Sequence, residues 1–271
     1  MVGRDAAVDS AVLSPAIVEA MAPAGPKFLA TLDAEGVPNV VPITSLQAID
    51  ESIIIFGELM MWKTRRNLET NPRVCIGVMT PAARGWIIQG DFQEFQRTGP
   101  YVDSINSADF YRYNAYTGIR SAGVIRARRV VREFALSRGA ILAAAARARW
   151  AARWRRPQGE GAAMPPPVRE KFARLQAAKF LAYLGPDGYP DIAPVLSLTP
   201  AGERALVFAG SVDGLERGVW VAAAVLTAEP LAYQVKGRFL GVERSLGGPL
   251  GVIQVLEVYS ASPPVPGERI A

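Results

Sequence analysis

One short segment concentrates the residues that could bind an anion. In MWKTRRNLETN, Lys63, Arg65 and Arg66 lie in a predicted first helical turn, with no acid before Glu69. A helix N-terminus carries partial positive charge, so basic residues there are unfavourable unless something negative compensates them. Free backbone N–H groups, the Lys63 ammonium and the Thr64 hydroxyl together suit a phosphate monoester. The segment therefore predicts a phosphate site, and a solvated basic helix face is the alternative.

A second copy of the surrounding sequence lacks this basic run. KFLATLDAEGVPNVVPITSL at 27–46 recurs as KFLAYLGPDGYPDIAPVLSL at 179–198, which is an offset of 152 residues. Self-similarity of this density indicates an internal duplication. Where the first copy has the basic turn, the second has GSVDGLERGV, with Asp213 and Glu216. That is the charge expected of a turn that holds no anion.

The residue types that are missing restrict the chemistry further. The 271 residues include no histidine, which excludes Ser-His-Asp and Cys-His nucleophiles, His-ligated zinc and His-bound haem. The single cysteine, Cys75, excludes an internal disulfide and a Cys-based zinc site, and we expect it to be a buried apolar residue. No metal site and no catalytic residue are predicted. Chemistry at neutral pH is then expected to be carried by a cofactor.

The elements that must position the basic turn form two similar β-rich units. Each unit begins with a short helix, continues with a hairpin, and adds a third strand, SIIIFG or RALVFAG. The helix WKTRRNLET is inserted only in the first unit. The strands RVCIGVM, GWIIQGDFQEFQ and GVIRARRVVREF then correspond to VWVAAAVLT, LAYQVKGRFLGV and GVIQVLEVYS. Units of about six short strands with few helices predict two small β-barrels.

The segment between the units is rich in alanine and arginine. From Arg138 to Arg156 it contains six arginines and no acid, and its Ala-rich part predicts a helix followed by a Gly/Pro-rich hinge. One interpretation is a basic strip for an acidic ligand, nucleic acid or a membrane surface. The favoured interpretation is a solvated helix face with Trp150 and Trp154 packed on a barrel, because the net charge of +5 is modest. We expect no sequence-specific nucleic-acid binding, since no aromatic RNA-binding motif accompanies the arginines.

The order of these features resembles a known family. The hairpin with Gly-x-Pro-x-x-x-Pro, the strand IIIFG, the segment KTRRNLETNPRV and the strand IIQGDF are similar to the FMN-binding split β-barrel family of pyridoxamine 5'-phosphate oxidase. The resemblance implies a mainly β fold with helices: two tandem split β-barrels related by internal duplication, the second degenerate, joined by a helical basic linker. The implied domains are residues 12–135, 136–165 and 166–262.

The same resemblance implies where FMN would bind. The cofactor would lie between two barrels, with the strand from Val41 to Ser45 along its ring and Lys63 and Thr64 at its phosphate. Trp86 is read either as a flavin neighbour or as a core residue. The implied cofactor-binding residues are Val41, Pro42, Ile43, Thr44, Ser45, Gly57, Glu58, Lys63, Thr64 and Trp86. In a connection that the second copy lacks, Tyr111, Tyr113 and Tyr116 would cap the substrate side or simply pack.

The chain also departs from the oxidase pattern. The polar flavin-contacting residue expected after NPRV is replaced by Arg84-Gly85-Trp86, and the oxidase histidine and C-terminal arginine motif are absent. The expected function is therefore an FMN-dependent oxidoreductase acting on a small organic substrate, not the oxidase itself. The alternatives are a deazaflavin (F420)-dependent reductase on the same fold and a non-catalytic flavin-binding or ligand-sensing module.

The remaining expectations concern partners and location. The two barrels would form a pseudo-dimer within one chain or a homodimer. The N-terminal sequence does not read as a signal peptide, and no stretch reaches the ~20 apolar residues of a membrane span. A cytoplasmic location is expected.

Overall fold

The computed structural model describes residues 12–21, 25–59, 61–107, 119–155, 161–229, 231–245, 247–262 and 266–271. These residues are mainly in two seven-stranded sheets, and every strand pair in them is antiparallel. The first sheet contains the strands β1 (Lys27–Leu32), β2 (Pro38–Pro42), β3 (Gln47–Ala48), β4 (Ile53–Gly57), β5 (Arg73–Met79), β6 (Arg84–Gln96) and β7 (Ala122–Ala135). The helices of this unit are α1 (Pro15–Ala20), α2 (Trp62–Thr70) and α3 (Pro100–Ser107).

The second unit repeats the arrangement of the first. It contains α4 (Arg138–Trp154), α5 (Pro166–Ala173), β8 (Ala178–Leu184), β9 (Pro190–Pro194), β10 (Thr199–Pro200), β11 (Ala205–Ala209), β12 (Trp220–Leu226), β13 (Ala232–Ser245) and β14 (Gly248–Ser260). The first sheet has the order β2-β1-β5-β6-β7-β4-β3, and the second, read from its β9 edge, has β9-β8-β12-β13-β14-β11-β10. Matching the strands in chain order makes the two orders identical. The predicted fold class, two tandem β-barrels with a helical linker, is confirmed.

Equivalent turns connect the first two strands of each barrel. Gly36 has a φ of 75° and Gly188 a φ of 77°, a left-handed conformation in which glycine has no Cβ penalty. The Asp33 carboxylate accepts from the Val37 N–H at 2.7 Å, and the Asp187 carboxylate accepts from the Tyr189 N–H at 3.1 Å. Asp33 and Gly36 in the first barrel, and Asp187 and Gly188 in the second, therefore set the hairpin geometry.

The two barrels pack against each other through equivalent residues. The rings of Phe28 and Phe180, which are 152 positions apart, lie with centroids 4.5 Å from each other, and both side chains are fully buried. Contact between a residue and its own counterpart is what an approximate two-fold relation produces. Cys75 belongs to the same apolar cluster, and burial raises the pKa of its thiol, so its prediction as a buried apolar residue is confirmed.

The linker helix α4 lies on the second barrel through its alanines. Ala145 and Ala148 are buried, and the Ser137 hydroxyl caps the helix by accepting from the Ala140 N–H at 3.2 Å. The Trp150 side chain is 54% exposed and that of Trp154 is 74% exposed. The expectation that these tryptophans pack on a barrel is therefore wrong. The small alanine side chains form the packed face, and both indoles are largely exposed.

Among the described residues, no helix combines the length and the apolar character that crossing a bilayer requires.

Candidate functional site

A cavity of about 300 Å³ opens between the two barrels. This volume lies at the lower end of the range for small-molecule sites, ~300–1,000 Å³. The first barrel lines it with Asn39, Val41, Pro42, Ile43, Thr44, Ser45, Gly57, Leu59, Met61, Trp62, Lys63 and Thr64. The second barrel lines it with Leu226, Ala232, Gln234, Tyr259, Ser260, Ala261 and Ser262. The C-terminal segment, residues 266–271, lines it with Pro266 and Gly267.

Most of the residues predicted from the sequence lie in this wall. Eight of the ten line the cavity: Val41, Pro42, Ile43, Thr44, Ser45, Gly57, Lys63 and Thr64. The strand expected over the first five of these ends earlier than predicted, because β2 stops at Pro42. A turn follows, in which the Leu46 N–H donates to the Ile43 carbonyl at 3.3 Å. The Ser45 hydroxyl then accepts from the Gly57 N–H at 2.9 Å, which fixes this turn to the end of β4.

Glu58 does not line the cavity. Its buried carboxylate accepts hydrogen bonds from the Arg65 guanidinium, at 2.6 Å, and from the Ser121 hydroxyl. Burial alone would raise the pKa of Glu58, but the hydrogen bonds from Ser121 and Arg65 hold it below its ordinary value. The Glu58 carboxylate is thus hydrogen-bonded within its own barrel, and the structure does not bring it to the predicted cofactor site.

Trp86 also lies away from the cavity. Its side chain is 6% exposed and packs in the apolar cluster inside the first barrel, with the Arg84 guanidinium 5.8 Å from its ring centroid. Its strand neighbour Ile87 belongs instead to the cluster between the barrels. Of the two readings of Trp86, the structure supports the core residue.

Two buried amides hold helix α2 at the cavity. The Asn39 amide donates to the Thr64 hydroxyl at 3.2 Å, and the Asn67 amide donates to the Thr31 hydroxyl at 2.9 Å. These bonds tie the helix to β1 and β2, beside the strand edge that lines the cavity. They keep the start of α2, where Met61 provides no side-chain cap, directed at the cavity wall.

Lys63 is the one charged residue among the described residues that line the cavity, and its ammonium has no hydrogen-bond acceptor there. The Lys63 Nζ is buried and has no hydrogen-bond acceptor within the described parts of the chain. It lies 2.8 Å from the ring centroid of Tyr259, whose hydroxyl donates to the Glu257 carboxylate at 2.8 Å. A buried donor without an acceptor is rare in native proteins because it loses its hydration without compensation. The site therefore matches an anionic ligand.

Burial, together with neighbouring positive charges, lowers the pKa of Lys63. Burial is the largest cause, the nearby Lys236 and Arg269 add to it, and Glu257 acts in the opposite direction; together they bring the pKa of Lys63 to about 8. Burial raises the pKa of the Tyr259 phenol, and its bond to Glu257 adds to the shift. Positive charge thus exceeds negative charge in this part of the cavity.

The other two basic residues of the predicted turn do not face the cavity. Arg65 bonds Glu58 and Glu69, the latter at 2.9 Å, so its charge is balanced within the first barrel. Arg66 is exposed. The groups predicted to hold the phosphate, Lys63, Thr64 and the start of the helix, do line the cavity, and Arg65 and Arg66 do not.

The wall from the second barrel was not predicted residue by residue. The Gln234 amide donates to the Asn39 side-chain oxygen at 3.1 Å and to the Val40 carbonyl at 2.6 Å, which joins the barrels across the cavity. The C-terminal segment pairs with β14, where the Ile270 N–H donates to the Val258 carbonyl at 2.8 Å. The sequence indicated a second wall only in general terms, through the duplication and through the resemblance, which implies a cofactor between two barrels. Tyr111, Tyr113 and Tyr116 lie outside the described residues.

Comparison with known proteins finds a family model that matches the first barrel. The family model described as pyridoxamine 5'-phosphate oxidase matches residues 13–140. No curated protein matches the chain. Among solved structures, HupZ of Group A Streptococcus is 23% identical, over 44% of this chain and 92% of that one, with a TM-score of 0.38.

Two further structures are similar over a comparable part of the chain. An FMN-binding protein of Syntrophomonas wolfei is 18% identical, over 45% of this chain and 84% of that one, with a TM-score of 0.38. A structure described as an F420 reductase is 20% identical, over 44% and 94%, with a TM-score of 0.33. Residues 13–140, which contain the first barrel, thus match the pyridoxamine 5'-phosphate oxidase family model over slightly less than half of the chain.

Proposed function

We propose that the chain binds FMN in the cavity between its barrels and acts as an FMN-dependent oxidoreductase on a small organic substrate. The observation that carries the proposal is the buried Lys63 Nζ, which lacks an acceptor among the described residues and faces a cavity of ligand size. A phosphate monoester would supply that acceptor in a charge-assisted hydrogen bond.

The residues around the cavity suit the parts of this cofactor. Lys63, the Thr64 hydroxyl and the uncapped start of α2 would hold the phosphate, because a helix N-terminus presents backbone N–H groups to an anion. The edge from Val41 to Ser45 would hold the ring, since all five residues line the cavity. When bound, FMN supplies the capacity to accept and return electrons.

The second barrel would contribute orientation and shelter from water. Gln234 fixes the wall of the cavity by bonding Asn39 and the Val40 carbonyl. Ala232 and Ala261 are small and leave room on the side that faces the first barrel. Pro266 and Gly267 of the C-terminal segment cover another side. The chain's own contribution is then binding, orientation and exclusion of water, while the redox capacity comes from the cofactor.

The test is to identify the ligand and then measure turnover. The purified protein is examined for flavin or deazaflavin absorbance, stripped, and titrated separately with FMN and F420 by fluorescence quenching. Binding of FMN at one site per chain, followed by FMN-dependent oxidation of a reduced nicotinamide, would support the proposal. Selective binding of F420 would mean that the cofactor is F420 and not FMN. FMN binding without turnover across reduced nicotinamides and small acceptors would favour a non-catalytic module. Failure to bind either cofactor would overturn the proposal.

A further inference from the structure

The outward face of α4 carries an apolar stripe. Leu142, Ala146, Trp150 and Trp154 follow one another at intervals of four residues, a spacing that places side chains along one side of a helix. All four are exposed, and Leu142 is 57% exposed. A stripe with two tryptophans exceeds the scattered single apolar residues that are normal on protein surfaces.

Arginines flank this stripe along the helix. Arg138 precedes Leu142 by four residues at the start of the stripe, Arg149 and Arg153 lie toward one side of it and Arg147 toward the other, and all four are exposed. Arg147 donates to the Gly247 carbonyl and Arg149 to the Ala173 carbonyl, contacts that leave both charges uncompensated. Arg155 is different, because it pairs with Glu243. Within the described part of the chain, no carboxylate forms an ion pair with the four flanking arginines.

A surface groove opens beside the stripe. Its volume is about 520 Å³, and its walls include Arg149, Trp150 and Arg153 from the helix and Thr199 and Pro200 from the second barrel. Two guanidinium groups and an indole at one open groove provide phosphate-binding donors next to an apolar surface.

We propose that α4 docks the protein onto an anionic phospholipid surface. A helix that lies in the bilayer interface combines an apolar stripe with basic flanks, and tryptophan is enriched at that depth because its ring is apolar and its N–H is polar. The stripe would enter the boundary between headgroups and acyl chains, and the flanking arginines would bond lipid phosphates. The alanine face keeps the helix on the second barrel, so docking needs no unfolding.

Two other occupants fit this face less well. A nucleic acid would satisfy the arginines but would leave Leu142 and Ala146 against a charged backbone. A second copy of the chain would cover the tryptophans, but a symmetric contact through this face would bring the arginine flanks of the two copies together. The lipid surface satisfies the apolar and the charged parts at once.

The experiment is co-sedimentation of the full chain with vesicles. We expect binding to vesicles of phosphatidylcholine mixed with phosphatidylglycerol, little binding to phosphatidylcholine alone, and weakening by salt. Arg138→Gln together with Arg153→Gln should weaken binding about thirtyfold, because each arginine adds attraction near an anionic surface. Trp150→Ala together with Trp154→Ala should weaken it at least tenfold.

Matched controls separate docking from general charge. Arg97→Gln with Arg217→Gln removes the same charge from exposed positions outside α4 and should leave vesicle binding within about twofold of the parent. Equal weakening by both arginine pairs would overturn the proposal, as would absence of binding to anionic vesicles. So would tighter binding to a random-sequence duplex DNA than to those vesicles, or self-association that Trp150→Ala with Trp154→Ala abolishes. FMN affinity should be unchanged in the helix variants, so this test is independent of the proposed function.

Discussion

The approximate two-fold arrangement gives the cavity between the barrels an equivalent position, here called the second groove, where the hairpin of the second barrel meets the first barrel. The two positions differ in how their charges are satisfied. At the open cavity, Asn39 bonds Thr64 and Gln234 as a neutral amide. The counterpart of Asn39, 152 residues later, is Asp191. The Asp191 carboxylate accepts from the Arg132 guanidinium of the first barrel at 2.6 Å and from the Tyr183 hydroxyl at 3.0 Å.

Arg132, which bonds Asp191 in the second groove, occupies the position that Tyr259 has at the open cavity. Arg132 pairs with Ile87 between β6 and β7, and Tyr259 pairs with Gln234 at the corresponding position between β13 and β14. Further contacts from the first barrel hold the hairpin of the second: Arg129 bonds Asp187, and Arg73 donates to the Gly188 carbonyl at 3.2 Å. The second groove thus carries ion pairs across the barrel contact.

This comparison shows what a binding site requires beyond a fold. The two barrels have the same strand order. In each, the backbone N–H at the end of one strand donates to a serine hydroxyl: Gly57 of β4 to Ser45, and Ala209 of β11 to Ser197. In the second groove, the Asp187 and Asp191 carboxylates pair with arginines of the first barrel. In the first, the buried Lys63 ammonium has no acceptor among the described residues. The difference lies in which charges the chain leaves unbalanced.

The largest effect is expected at the anion site itself. Lys63→Ala together with Thr64→Ala should weaken FMN binding about a hundredfold or more, because each hydrogen bond to a charged group contributes ~1.5–3 kcal/mol and each ~1.4 kcal/mol is tenfold. Loss of the Asn39–Thr64 bond should cost about 1 kcal/mol of folding free energy, but the Asn67–Thr31 bond still holds α2. Fluorescence quenching of each stripped variant during FMN titration gives the affinity.

The second unit supplies the control. Asp213→Ala together with Glu216→Ala alters the equivalent segment, which in this unit packs through Val212, Leu215 and Val219. We expect its FMN affinity to equal that of the parent. If this variant loses FMN, or if the Lys63 and Thr64 variant binds like the parent after thermal unfolding shows it to be folded, the comparison between the grooves is wrong.

The fold and the wall of the cavity from the first barrel could be predicted from the sequence. The repeat fixed the strand correspondence, and the basic turn at Lys63 departed from helix electrostatics strongly enough to indicate a ligand. The pairing of Glu58 with Arg65 could not be predicted, because it depends on the position of β4 relative to α2 and Ser121. Nor could the outward direction of Trp150 and Trp154, because alanine can form either a packed or an exposed helix face.

A smaller effect is expected from removing the charge that closes the second groove. Asp191→Asn keeps an acceptor for Tyr183 but loses the attraction to Arg132, whose side chain is 37% exposed. We expect a loss of about 2 kcal/mol in the free energy of unfolding, measured by urea titration, since a hydrogen bond to a charged group is worth ~1.5–3 kcal/mol. FMN should still bind at one site per chain.

An exposed ion pair provides the reference for this variant. Arg84→Gln breaks the bond to Glu133 between two largely exposed side chains and should cost less than ~1 kcal/mol. Equal losses in the two variants would mean that the second groove is not held closed by its ion pair. A second FMN bound by Asp191→Asn would mean that the pair alone excludes a ligand.

The smallest effect, a dependence on pH, follows from the lowered pKa of Lys63. In the ligand-free protein this pKa is about 8, so the ammonium is mostly charged at pH 7 and mostly neutral at pH 9. The second pKa of a phosphate monoester is near ~6, so the ligand stays dianionic over this range. FMN affinity should therefore fall as pH rises through 8, by about tenfold from pH 7 to pH 9, because binding requires the charged lysine.

Other ionisable groups around the Lys63 ammonium also affect how FMN affinity depends on pH. Lys236, Glu257 and Arg269 surround Lys63, and burial also lowers the pKa of Lys236. Lys63→Met fills similar space without a charge and should remove most of the slope, so that a remaining fall in affinity toward pH 9 reports Lys236. Lys63→Arg should keep affinity nearly constant over this range, because a guanidinium stays protonated. A parent protein whose FMN affinity is flat between pH 7 and pH 9 would show that Lys63 does not pair with the phosphate.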